Sequence, residues 1–193
     1  MSKKAIILPV ILITLLGVAA YSLFRAPATP DGNINSYLKG EMAKLSLPEE
    51  PQTLSSHIIM RADGSPVALK ELKGKAMLIN LWAPWCAPCR AEMKELAHLE
   101  KILGDEQFEV VAINANRGGI AEAEETLKEW DVEGLNLYAD PTMKTMFDLA
   151  EGALPTSFVV DKAGNIRAFY LGPLKWDAPE ALELFTALKE GKL

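Results

Sequence analysis

The chain has 193 residues, nearly half of them hydrophobic, and a formal net charge of −6 at pH 7. That is enough for one domain with a real core and short extensions. The first thirty residues hold Lys3, Lys4 and Arg25 and no acid, so the remainder sets 17 basic against 26 acidic residues, a net of −9. This excess argues against nucleic acid and anionic lipid, which need basic patches, and suits neutral or basic protein clients.

In chain order, residues 1–4 read as a cytoplasmic tip and residues 5–24 as a transmembrane helix. Ala5 to Phe24 is uncharged, and twenty residues can just span a bilayer. The flanking cations predict a single-pass anchor in the inner membrane with the body of the chain in the periplasm. A cleaved signal peptide is the competing reading, because Val18-Ala19-Ala20 offers small residues for cleavage. Residues 25–33, rich in Pro, Thr and Ala, read as a linker. Ile34, Leu38, Met42 and Leu45 recur at helical spacing and predict an amphipathic helix in the segment 34–56, ended by Pro48 and Pro51.

Residues 57–193 alternate strand and helix signals. Asp63-Gly64 between His57-Met60 and Val67-Leu69 predicts a hairpin. The continuous apolar run Ala76 to Trp82 predicts a buried central strand. Met93, Leu96, Leu99 and Leu103 mark the apolar face of a helix capped by Gly104. A strand at Phe108 to Ile113 follows, then a helix carrying Ile120, Ala123, Leu127 and Trp130. A short strand (Leu135-Tyr138) and a short helix around Thr142-Leu149 come next. Thr156 to Val160 and Ile166 to Tyr170 form a hairpin, and a last helix starts near Pro179 with Leu182, Phe185 and Leu188 buried and Gly191 at its end. The fold class is α/β: a mixed central sheet with helices on both faces.

The chain has two cysteines, in Trp85-Cys86-Ala87-Pro88-Cys89-Arg90. Two thiols this close would staple almost nothing as a structural disulfide, because the closed loop is tiny. A reactive pair explains them better. Cys86 falls at a helix start, where free N–H groups and the helix dipole favour a thiolate, so it is the attacking sulfur and is expected to be exposed. Cys89, one turn in and more shielded, is the resolving sulfur. Pro88 stiffens the turn. Trp85 offers a flat surface to a client chain, or simply packs, whereas Trp82 reads as core.

Trp82-Ala83-Pro84-Trp85-Cys86-Ala87-Pro88-Cys89-Arg90, with Leu154-Pro155-Thr156-Ser157-Phe158 downstream, resembles the thioredoxin-like superfamily, and most of all its membrane-anchored TlpA-type thiol:disulfide reductases (TlpA/ResA/CcmG-like). Leu78-Ile79-Asn80-Leu81-Trp82, Tyr138-Ala139-Asp140-Pro141 and Gly172-Pro173-Leu174-Lys175-Trp176 add to the likeness. The resemblance implies a thioredoxin-like fold and a cis Leu154-Pro155 bond facing the dithiol. It implies that Trp85, Pro88, Leu154, Pro155 and Thr156 bind clients. Asn80 stands where thioredoxin has a buried aspartate, and Glu92 occupies the position of the glutamate that tunes Cys89 in the periplasmic reductases. A first-turn glutamate serving only the helix dipole is the plainer reading of Glu92. Lys94 replaces a proline common in these relatives, so the helix is expected to lack their kink.

The implied activity is reduction of disulfides in clients of respiratory complex assembly, either cytochrome oxidase copper-site proteins or apocytochrome c. The implied electron source is a DsbD- or CcdA-type membrane donor, no cofactor or metal is implied, and a monomer is expected. The rival from another class is a Cys-x-x-Cys metal-binding module, above all a copper metallochaperone, with Met143 and Met146 as further ligand candidates for copper and His57 and His98 for zinc. The two methionines fit one apolar helix face and the histidines surface roles. A thiol peroxidase is disfavoured because residue 83 is alanine rather than Thr or Ser.

Overall fold

The computed structural model describes residues 32–193. The expected tip, membrane span and most of the linker lie outside the described residues. Among the described residues no helix is long and apolar enough to cross a membrane.

Eight strands form one sheet: β1 (Gln52–Thr53), β2 (Ile58–Arg61), β3 (Pro66–Ala68), β4 (Ala76–Trp82), β5 (Phe108–Asn114), β6 (Asn136–Ala139), β7 (Thr156–Val160) and β8 (Asn165–Leu171). Their order across the sheet is β1-β8-β7-β4-β5-β6-β2-β3. β4, β5 and β6 run parallel, while β7 and β8 are antiparallel to their neighbours. Among the described residues there are four α-helices, three joining successive strands, α1 (Ala87–Leu103), α2 (Gly119–Glu129) and α3 (Lys144–Ala150), and one following β8, α4 (Pro179–Lys189).

Every residue of β4 is buried, as its unbroken apolar run requires of a strand covered on both faces. Period-two alternation then splits its side chains. Leu78 and Trp82 join Met93, Leu96 and Leu99 of α1, Leu127 of α2 and Phe185 and Leu188 of α4 in one core. Met77, Ile79 and Leu81 point the other way, into a core with Val111, Ile113, Phe158, Val160 and Ala150 of α3. Helices therefore cover both faces. Burying each of these large side chains stabilises the fold by about 1.5–3 kcal/mol.

Three local expectations are corrected. Residues 34–45 do not form one α-helix: Ile34–Tyr37 and Gly40–Lys44 are two separate 3-10 turns. Gly40, the first residue of the second turn, has φ +55, a left-handed conformation that breaks helix propagation. The apolar side chains dock all the same, with Ile34, Met42 and Leu45 buried in the first core. On α4 the buried stripe is Ala181, Leu184, Phe185 and Leu188, and Leu182 is half-buried one position off it. Met143 is not on a helix face: it precedes α3 with φ 59, and of the two methionines Met146 alone lies in the helix, where it is buried.

Candidate active site

β4 ends at Trp82, and Ala83-Pro84-Trp85 turn the chain into α1. The turn is closed by Cys86 N–H donating to the Ala83 carbonyl at 3.0 Å. Cys86 is the N-cap of α1, and its sulfur accepts a hydrogen bond from the Cys89 N–H at 3.2 Å. Pro88 sits in the first turn, where a missing N–H leaves no bond unmade. Cys86 and Cys89 are joined as a disulfide with Cα atoms 5.2 Å apart. The expected exposure of Cys86 is not seen: it is 4% exposed and Cys89 is fully buried. As N-cap, Cys86 turns its side chain inward over the helix end to reach Cys89. What faces solvent around it is Trp85, Ala87 and Pro88, with Trp85 62% exposed.

Glu92 lies one turn after Cys89 and is 2% exposed. Three N–H groups hold its carboxyl: Asn80 Nδ2 donates to Oε1 at 2.8 Å, and Leu174 N–H and Trp176 Nε1 donate to Oε2 at 3.0 and 2.8 Å. Burial pushes its pKa up from 4.5 to about 7, against the pull of the three donors, and the nearby Glu95 raises it further. Asn80 also donates to Ser157 Oγ at 2.8 Å. Asn80 is on the α1 side of β4 by the same alternation that places Leu78 and Trp82 there. Glu92 is thus no surface glutamate at a helix start. It is a buried acid with its ionised form held by donors and its neutral form favoured by desolvation.

The peptide bond between Leu154 and Pro155 is cis. β4 pairs with β7 with Leu81 opposite Thr156, so Pro155 stands at the same end of the sheet as the dithiol. Thr156 is turned back onto its own loop, its hydroxyl donating to the Ala153 carbonyl at 2.9 Å. The Pro155 carbonyl accepts from Gly172 N–H at 2.9 Å, whereas neither the N–H nor the C=O of Leu154 bonds to another backbone group among the described residues. On the other flank, Trp85 Nε1 donates to Asn116 Oδ1 at 3.3 Å, and Asn116 Nδ2 is anchored on Glu122 at 2.7 and 2.9 Å.

The structure therefore brings Cys86, Cys89, Glu92, Trp85, Pro88, Leu154, Pro155 and Thr156 to one end of the molecule. Trp82 is core, packed on Trp130 with ring centroids 5.5 Å apart. The metal-ligand candidates are dispersed. His57 bridges Ser55 and Asp148, and His98 pairs with Asp177. Among the described residues no three His, Cys, Asp or Glu side chains gather as a metal site. α1 is one unbroken helix through Lys94, which pairs with Asp131 at 2.9 Å. Sequence reasoning missed Leu174 and Trp176 as partners of Glu92, and Asn116 as the support of Trp85. A tryptophan in a loop rich in Pro and Gly was the available signal for the first.

Comparison with known proteins sets this geometry in a family. Residues 49–185 match the Redoxin family. The chain belongs to that family. Among Redoxin-like relatives, it is 31% identical over 109 residues to the thiol-disulfide oxidoreductase ResA of Bacillus cereus, covering 56% of this chain and 62% of the relative. It is 36% identical over 104 residues to the thiol:disulfide interchange protein HelX of Rhodobacter capsulatus, covering 54% and 56%. These alignments span less than two thirds of either relative. Among solved structures, a DsbF homologue from Corynebacterium diphtheriae superposes with a TM-score of 0.57 at 26% identity, over 72% of this chain and 92% of that one. The Redoxin match and this superposition together establish the thioredoxin-like fold that the dithiol and proline motifs imply.

Proposed function

We propose that this chain is a thiol–disulfide oxidoreductase that reduces disulfides in client proteins. The observation that carries this reading is the Cys86–Cys89 pair closed as a disulfide on the N-terminus of α1. A reduced pair there has an attacking sulfur whose thiolate is stabilised by the helix end, and a buried sulfur within bonding reach. The Cys86 thiolate attacks one client sulfur, forming a mixed disulfide and releasing the other client sulfur as thiolate. Cys89, deprotonated, attacks Cys86, restoring the Cys86–Cys89 bond and releasing the second client thiolate. Two electrons pass from the dithiol to the client. Glu92 takes the Cys89 proton, a role its position one turn on and its pKa near 7 suit.

The remaining assignments extend that reading. Residues 5–24 anchor the chain in the inner membrane, with the dithiol in the periplasm. Because that compartment is oxidising, a DsbD- or CcdA-type membrane donor returns the two electrons. The clients are cysteine pairs of cytochrome oxidase copper-site proteins or of apocytochrome c. Trp85, Pro88, Leu154 and Pro155 form the docking surface, with the free Leu154 backbone pairing to an extended client segment.

Replacing Cys89 by Ser leaves the attacking sulfur with no resolving partner. In cells, the C89S variant is expected to accumulate as mixed disulfides through Cys86, and sequencing of the trapped chains identifies the client class. A C89S chain that traps nothing, beside a wild-type chain that fails to reduce a protein disulfide in vitro, would overturn the reading.

A further inference from the structure

The body of the chain is strongly acidic, yet three exposed cations lie beside residues of the dithiol site. Arg90 follows Cys89 directly, Arg117 follows the Asn116 that holds Trp85, and Lys175 lies between Leu174 and Trp176, the two residues bonded to Glu92. All three are exposed. None of them enters an ion pair among the described residues. Arg90 spreads its guanidinium over the Trp130 ring at 5.8 Å, a contact that orients the cation without neutralising it.

Four acids near these cations have other partners, while Glu124, Glu125 and Glu129 of α2 are exposed and unpaired among the described residues. Glu92 is enclosed with its three donors. Glu122 is held by Asn114 and Asn116. Asp131 pairs with Lys94, and Asp177 with His98. The cations therefore stand on both flanks of the dithiol, Arg117 on the Trp85 side and Lys175 on the side of the 172–176 loop, with no carboxylate of their own. Surface cations of an otherwise acidic protein, left unpaired where a client must dock, attract the opposite charge and repel their own kind.

We propose that the dithiol end selects disulfides set in acidic chain segments, with client carboxylates flanking the cystine and meeting Arg117 and Lys175 while the sulfurs reach Cys86. This rests on the reductase reading and names its substrate class. It reverses the expectation of neutral or basic clients, which the total charge suggested, because the unpaired cations named above flank the dithiol.

The test uses two peptides with the same disulfide-bonded core, one flanked by glutamates and one by lysines. Each is mixed with the full chain in its reduced form. At low ionic strength the glutamate peptide is expected to be reduced about tenfold faster than the lysine peptide. The ratio should fall toward one in about 0.5 M salt, where the screening length is only a few ångströms. In the R117E/K175E variant the low-salt ratio should invert. Equal rates at low salt, or a faster lysine peptide, overturn the acidic preference and leave the reductase reading intact. Reduction of neither peptide overturns both. The salt series needs only the native chain, so the outcome does not depend on the variant folding.

Discussion

At the scale of single residues, Glu92 decides the character of the site. A carboxylate at 2% exposure loses its hydration, and three N–H donors return only part of it. The folded chain holds the Glu92 proton up to about pH 7, whereas the unfolded chain releases it near 4.5. Between those values the folded state binds more protons, so stability falls as pH rises and levels off above about 7. The loss over that window is about 3 kcal/mol. Glu92→Gln removes the titration. Chemical denaturation of the oxidised protein is expected to show E92Q gaining on the wild type by about 3 kcal/mol from pH 4.5 to 8, and parallel profiles would count against a buried titrating acid. Asn80 belongs to the same argument. An aspartate there would place a second carboxylate against Glu92, so Asn80→Asp is expected to push the Glu92 pKa above 7, read by carboxyl NMR. The identity of Glu92 and Asn80 was legible from their spacing to the cysteines. Their meeting was not: it depends on β4 and α1 packing face to face and on the 172–176 loop folding over both, contacts that no local pattern encodes.

At the scale of elements, that loop carries much of the site. It leaves β8 at Gly172, whose N–H bonds to the Pro155 carbonyl and whose φ is +120. It then delivers Leu174 N–H and Trp176 Nε1 to Glu92. One turn thereby ties the cis-proline loop to the buried acid. A side chain at residue 172 meets the Tyr170 ring at 3.3 Å and a backbone conformation that L residues rarely adopt. Gly172→Ala is expected to cost about 1–3 kcal/mol in denaturant unfolding and to weaken the two loop bonds to Glu92. A Glu92 pKa unchanged by the substitution would mean that the loop does not need this conformation. The strands and long helices were legible because their periodicities are long and uniform: β4 is apolar throughout, and α1 repeats its stripe over seventeen residues. The segment 34–45 misled for a physical reason. Its apolar spacing reports only which side chains face the core, and two 3-10 turns hinged at Gly40 present Ile34, Met42 and Leu45 as well as one α-helix would.

At the scale of the whole molecule, this N-terminal segment is part of the fold. Met42 is fully buried in the core shared by α1 and α4. Glu41 N–H donates to Glu180 Oε1 at 2.6 Å, tying the second 3-10 turn to the start of α4. Ser46 exchanges two backbone hydrogen bonds with Phe169 of β8, at 2.8 and 2.9 Å, and β1 adds to the same edge. A chain starting at residue 57 would expose this apolar face of α4 and leave β8 as an open edge. Met42→Ala tests the packing alone, since it removes the buried side chain and leaves the backbone bonds in place. Its expected cost is about 2–5 kcal/mol, the range for emptying a fully buried methionine site. That is a large fraction of the 5–15 kcal/mol that holds an ordinary domain together. Denaturant unfolding of the M42A variant, in oxidised and reduced forms, measures it. A cost below about 0.5 kcal/mol in both forms would place residues 34–46 outside the cooperative core, as a tether laid over a finished domain.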